Sequence, residues 1–213
     1  MKTTKPTDQG KALQIGLTGG IGCGKSTVAK ILESMGLARL DTDIVAREVV
    51  QVGSPGLTAI IEEFGEIVIQ PDGSLDRSAL GKIVFADLDK LARLENVLHP
   101  RIWQKVSEFH QSCELQGQNS IVEVPLLFEN SRQDKFTETW VVSTDRESQF
   151  ERLRIRNSWS DEEISNRIRN QMPLADKVKL ADVVIENSGD ISGLRSNVGK
   201  SLANSLDRHQ TNK

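Results

Sequence analysis

Only two of the 213 residues are cysteines, Cys23 and Cys113. They lack metal-ligand spacing, which argues against a disulfide scaffold or a thiolate metal site and fits a reducing, cytoplasmic setting. No apolar run approaches the roughly 20 residues of a membrane span, so no membrane partner is expected. The opening "MKTTKPTDQGK" has no apolar centre of the kind a signal peptide needs, and residues 1–12 are expected to form a loose tail. An excess of either charge is also missing. With 27 Lys and Arg against 30 Asp and Glu, the net charge is −3. That balance argues against a nucleic-acid-coating surface, and no nucleic-acid partner is expected. Internal repeats and low-complexity segments are absent too. The length suits one core domain with insertions, or two small domains.

What the chain does have is concentrated glycine. Residues 17–28 read "LTGGIGCGKSTV", with Gly19, Gly20, Gly22 and Gly24 followed at once by Lys25, Ser26 and Thr27. Glycine loses the most backbone freedom on ordering, so such density implies close approach to the backbone. Upstream, "LQIGL" reads as a short buried strand. Downstream, Val28, Ile31, Leu32 and Met35 recur at helical spacing, and Gly36 is a stop signal. The spacing G-x-x-x-x-G-K-S falls on Gly19, Gly24, Lys25 and Ser26, in the strand–loop–helix context that a phosphate-binding loop requires. Backbone N–H groups and the helix N-terminus would wrap a triphosphate. Lys25 would reach the β- and γ-phosphates, and the Ser26 hydroxyl would ligate Mg²⁺.

Four further segments read as strands: "ARLDTD" ending at Asp43, residues 120–128, "ETWVVSTD" ending at Asp145, and "DVVIEN" ending at Asn187. Helical patterns lie between them. The alternation predicts an α/β fold, a parallel sheet of about five strands flanked by helices. Strands two and three are separated by roughly 75 residues, far more than one crossover helix needs. That stretch contains five helical patterns, among them residues 87–98 and 101–115, and a turn at "PDGS". It predicts a helical insertion over 44–119 that takes a second substrate. The nucleotide-binding core is then 13–43, 120–145 and 176–213. Ligands of open α/β sheets sit outside the carboxyl ends of the strands, which brings forward Asp43, Glu123 and Asp145.

No Asn-Lys-x-Asp element is present, which sets aside a guanine-specific switch, and a motor ATPase usually needs a longer chain. The segment after strand four carries Arg146, Arg152, Arg154, Arg156, Arg167 and Arg169 on two consecutive helices. It is either a solvated charged face or a lid over 146–175 that brings guanidinium groups to the transferring phosphate.

Taken in order, these motifs resemble the dephospho-coenzyme A kinase family. The resemblance runs over residues 13–189, through "GLTGGIGCGKSTV", "DTDIVAREVV", "DGSLDRSALGKIVF", "LHPRI", "VPLLFE", "RLRIRN" and "ADVVIENSG". It implies a P-loop kinase that uses ATP and Mg²⁺ to phosphorylate the ribose 3′-hydroxyl of dephospho-coenzyme A. MgATP would sit on Gly22, Cys23, Gly24, Lys25, Ser26 and Thr27, with the acceptor between the sheet edge and the insertion. By the same resemblance, Asp43 is the general base. Spacing agrees, because Asp41 and Asp43 would share one face of a strand with Asp43 nearer the open edge; the competing reading of Asp43 is a cap for the following helix. Arg47 is either a ligand for an anionic group of the acceptor or an exposed helix residue. Arg77 is implied as an acceptor-phosphate ligand. His99 is either an acceptor-site residue or a helix-entry histidine before Pro100. Glu123 lies where such kinases often place a carboxylate acting on Mg²⁺. Arg152 and Arg156 match the lid arginines, four residues apart on one face, and Asn187 lies in a loop that packs against adenine in relatives.

Cys23 stands where the family pattern has serine; its thiol is either activated by the helix N-terminus or a spacer turned away from phosphate. The competing reading is another P-loop nucleotide or small-metabolite kinase. The sequence assigns no oligomeric state.

Overall fold

The β1 strand, Gln14–Gly19, is buried along nearly its whole length, as a strand covered on both faces must be. A computed structural model describes residues 12–211, so nearly all of the expected tail lies outside the described residues. After β1 come α1 (Lys25–Ser34), β2 (Ala38–Asp41), α2 (Thr42–Glu48), α3 (Pro55–Phe64), α4 (Arg77–Phe85) and α5 (Leu88–Leu115). The chain continues through β3 (Ser120–Glu123), β4 (Glu138–Ser143), α6 (Arg146–Asn157), α7 (Asp161–Arg169), α8 (Leu174–Leu180), β5 (Val183–Glu186) and α9 (Ile191–Thr211). The five strands order as β2-β3-β1-β4-β5. β1 pairs in parallel with β3 and β4, and β4 with β5. This is the α/β sheet expected.

Two compact units divide the chain: one holds the residues up to Arg39 and from His110 on, the other Leu40–Phe109. In the first, Leu13, just before β1, and Ile15 and Leu17 of β1 pack with Val28, Ile31 and Leu32 of α1, Trp140 of β4, and Leu194, Val198 and Leu202 of α9. Apolar contact along α1 therefore fixes the strand–loop–helix unit from below. The second unit has its own core of Val45, Val49, Val50, Ile60, Val68, Leu80 and Val84. Its turn at residues 70–74 is closed by Gln70 N–H to the Ser74 carbonyl at 2.8 Å, inside a bridge between Ile69 and Leu75.

Several boundaries differ from the sequence expectation. β2 stops at Asp41 rather than Asp43, because the Asp41 carboxylate accepts the Asp43 N–H at 2.8 Å and starts α2. Asp41 and Asp43 therefore do not share a strand face. β3 stops at Glu123 rather than residue 128; Pro125 has no N–H to continue the ladder, and the chain turns. β4 ends at Ser143, and Asp145 caps α6 by accepting the Ser148 N–H at 2.8 Å. β5 ends at Glu186, one residue before Asn187.

The helices expected at 87–98 and 101–115 are one, α5, which runs through Pro100. Proline removes one helical hydrogen bond. Beside it, Arg101 donates to the Val97 carbonyl at 2.6 Å, and Leu91, Leu94, Val97, Leu98 and Ile102 pack on the second unit's core. Packing on both sides of the proline outweighs the local cost. His99 is thus a mid-helix residue, and the helix-entry reading does not hold.

Candidate active site

Gly22 and Gly24 take the left-handed backbone region, with φ of +79° and +89°. A Cβ at Gly24 would stand 2.2 Å from Asn187 Nδ2, and one at Gly22 would stand 2.8 Å from Leu153 Cγ. Glycine is required at both, for conformation and for space. The loop closes by Cys23 N–H to the Gly20 carbonyl at 3.1 Å, then enters α1 with no side-chain cap and no acidic residue in its first turn. Ser26 and Thr27 are exposed there. An uncapped helix N-terminus with a lysine at its head is suited to an anion.

Four side chains hold this loop from behind. Gln149 Nε2 donates to the Ile21 carbonyl at 2.6 Å, while Gln171 Oε1 accepts the Ile21 N–H at 2.9 Å. Asn187 Nδ2 donates to the Cys23 carbonyl at 2.8 Å, and Arg152 Nη2 donates to the Asn187 carbonyl at 2.6 Å. Of the two residues expected at the nucleotide, Asn187 thus bonds the backbone of the loop directly, and Arg152 braces Asn187 and reaches the Cys23 carbonyl from Nη1 at 3.5 Å. Arg156 stays exposed, its Nε donating to Asn157 Oδ1 at 2.8 Å. The remaining arginines of this segment sort differently: Arg154 pairs with Asp161 at 2.7 Å, Arg146 lies over Phe150, Arg167 stacks on Trp159 at 3.9 Å, and Arg169 donates to Asn166 Oδ1.

The Cys23 side chain is fully buried in the β1–α1 core. Burial pushes its thiol up to about 11, against the smaller lowering effects of the Gly20 hydrogen bond and of Arg152 and Lys177. The activated-thiol reading does not hold. Cys23 is a spacer whose side chain faces the core, leaving its backbone to the loop.

Glu123, at the end of β3, is fully buried, and Lys25 Nζ lies 3.8 Å from its Oε2. Its other oxygen accepts two hydrogen bonds from Arg39 of β2, Nε at 2.8 Å and Nη2 at 2.6 Å. Desolvation is the largest single effect and opposes the charge on Arg39, but the hydrogen bonds and charge of Glu123, together with those of Glu33, outweigh it and hold the guanidinium above its ordinary value. No cluster of three or more His, Cys, Asp or Glu able to hold a metal alone exists among the described residues. The donors present fit a magnesium ion held mainly by phosphate oxygens and water, which is how this ion is usually bound beside a nucleotide. Ser26 and the Oε2 side of Glu123 are the protein groups suited to it.

The second unit gathers another set. Asp43 is an exposed residue in the first turn of α2, and the cap of that helix is Asp41, so capping does not explain Asp43. Arg47, in the last turn of α2, and Arg77, first residue of α4, line one open cavity of about 520 Å³. Val50, Val52 and Leu75 supply apolar wall. Two guanidinium groups beside apolar surface suit a ligand with an anionic end and an uncharged body. His99 is half-buried on α5 and does not line this cavity.

The family model described as dephospho-CoA kinase matches residues 13–193. The chain belongs to the dephospho-CoA kinase family. It is therefore an ATP-dependent kinase whose acceptor is an alcohol group. The dephospho-CoA kinase of Carboxydothermus hydrogenoformans is 44% identical over 185 residues, covering 86% of this chain and 90% of that one. The crystal structure of TT1252 from Thermus thermophilus superposes with a TM-score of 0.77 at 34% identity, covering 93% of this chain and 98% of that one. Dephospho-CoA kinase from Campylobacter jejuni gives 0.69 at 28% identity, covering 89% and 95%.

Within this dephospho-CoA kinase family member, sequence reasoning missed Arg39, Gln149 and Gln171. A charged residue inside the four-residue strand "ARLD" was a usable signal for Arg39, because a charge in a sheet needs a partner. Nothing in the local pattern marks the two glutamines, whose partners lie 128 and 150 residues away.

Proposed function

We propose that this chain transfers the γ-phosphoryl group of ATP, bound with magnesium, to the ribose 3′-hydroxyl of dephospho-coenzyme A. The uncapped N-terminus of α1, with Lys25, Ser26 and Thr27 at its head, carries the donor half of this reading. N–H groups of residues 22–27 surround the phosphates, and the Lys25 ammonium offsets charge on the β- and γ-phosphates. Arg152 and Asn187 serve by holding the loop in shape. Magnesium supplies further charge neutralisation, with Ser26 and Glu123 as its protein-side groups. Arg156, an exposed guanidinium on the same face of α6 as Arg152, meets the transferring group. On the acceptor side, Arg47 and Arg77 bind anionic groups of dephospho-coenzyme A, and Asp43 orients the hydroxyl and takes its proton. Two buried, unpaired-in-disulfide cysteines support a reducing, cytoplasmic setting.

ADP release by the purified protein tests this, measured with dephospho-coenzyme A, with adenosine monophosphate, or with no acceptor, in magnesium and in EDTA. The expected result is ADP release that requires both dephospho-coenzyme A and magnesium, and that Lys25→Ala abolishes without changing circular dichroism. Preference for adenosine monophosphate would assign another nucleotide kinase. Full activity in Lys25→Ala would remove the phosphate-loop assignment.

A further inference from the structure

Glu123 and Lys25 pose an electrostatic problem. A fully buried carboxylate needs a positive partner, since an uncompensated buried charge is strongly destabilising. The lysine beside it is the residue the nucleotide needs. Were Glu123 to pair tightly with Lys25, incoming phosphate would have to break that pair first. Yet the Lys25–Glu123 separation is 3.8 Å, longer than a hydrogen-bonded ion pair of about 2.7–2.9 Å. Arg39 takes the short contacts instead, two N–H groups on Oε1 at 2.8 and 2.6 Å. Its side chain is 19% exposed, so the pair lies largely out of water. The second carboxylate near Arg39, Glu33, sits at 3.4 Å with a side chain 53% exposed, and such an exposed pair contributes little.

We propose that Arg39 is a positioning residue that holds the buried Glu123 carboxylate to itself and so keeps Lys25 available for nucleotide phosphate. It touches no substrate. It acts through Glu123 on Lys25, by occupying Oε1 and supplying the compensating charge. Without it, the Lys25 ammonium, 3.8 Å from Oε2, is drawn to the carboxylate, and a shift of about 1 Å would close a direct ion pair. Nucleotide would then bind only by separating the two. The proposal rests on the reading of residues 19–26 as a nucleotide-binding loop.

Binding of ADP and of ATP by the full chain in EDTA is the test, so that any contact of Glu123 with magnesium stays out of the measurement. Arg39→Met is expected to raise the nucleotide Kd by about tenfold or more, as a newly formed buried pair competes with phosphate. Arg39→Met with Glu123→Gln is expected to return Kd to within about threefold of wild type, because the competing carboxylate is gone. A merely structural loss would lower the melting temperature without this rescue. Should Arg39→Met fail to fold, Arg39→Gln, which keeps an N–H donor and loses the charge, is read the same way. Unchanged Kd in a folded single variant, or a double variant as weak as the single, overturns the role of Arg39 while leaving the loop assignment standing. A wild-type chain that binds neither nucleotide overturns the loop reading itself.

Discussion

Asp41 and Asp43 are two residues apart and do different work, which makes them separable by substitution. Asp41 caps α2 through the Asp43 N–H, whereas Asp43 sits exposed in the first turn of that helix. A positioned general base is worth about 10²–10⁴ in rate. Asp43→Asn is therefore expected to lower kcat at least about a hundred-fold with melting temperature and ATP affinity near wild type. A loss under about ten-fold would remove Asp43 as the base. Asp41→Ala is expected to cost roughly 1 kcal/mol of stability, and Asp41→Asn much less, because Asn caps as well as Asp. Cys23 supplies a second residue-scale expectation. Fully buried, with its thiol pushed up to about 11, it should resist alkylation in the native state at pH 8 and react freely only in denaturant. Rapid native labelling would show that the loop opens. Cys23→Ser should leave catalysis nearly unchanged if the thiol is only a spacer.

At the scale of an element, α6 divides its two candidate arginines by one turn. Phe150 and Leu153 bury one face against Ile21 and Ile164, which turns Arg152 toward the phosphate loop. Arg156, a turn further on, emerges into solvent. The two substitutions should therefore separate kinetically. Arg156→Ala is expected to lower kcat about ten-fold or more with a smaller change in KM for ATP, the sign of an interaction made in the transition state. Arg152→Ala is expected to raise KM for ATP and lower the melting temperature, because the Asn187 and Cys23 carbonyls lose a donor. Steady-state kinetics with a thermal melt on each variant decides it. Unchanged kcat in Arg156→Ala would return the outer turn of α6 to a solvated face.

On the scale of the whole molecule, His110 links folding to pH. It is buried edge-on to Phe136, with ring centroids 5.6 Å apart. Burial pushes its imidazole down from 6.5 to about 4. Below pH 6.5 the unfolded chain takes up a proton at this residue that the folded chain refuses until about pH 4. The unfolded state binds more protons across that window, so stability falls as pH falls through it. The ceiling is about 3 kcal/mol, from 1.36 kcal/mol per unit. The melting temperature should drop more between pH 7 and pH 5 in wild type than in His110→Leu. Equal drops would mean that the histidine charges inside the fold.

The phosphate loop, the five strands and the helical character of the insertion were legible in the sequence because each is local. Glycine spacing, an apolar run before it and a 3.6-residue period after it are properties of a few neighbouring residues. The family motifs pointed the same way, and the match over residues 13–193 bears them out. Element ends were less legible: whether Asp41 or Asp43 starts α2 depends on one hydrogen bond, and α5 crosses Pro100 because of what packs along it. Contacts distant in sequence were not legible at all. Arg39 meets Glu123 across 84 residues, and Asn187 reaches the Cys23 carbonyl across 164. Local pattern determined which loop could hold phosphate. Tertiary structure alone decided that Cys23 faces the core and that Glu123 is held by Arg39, because burial and charge compensation exist only once the strands lie side by side.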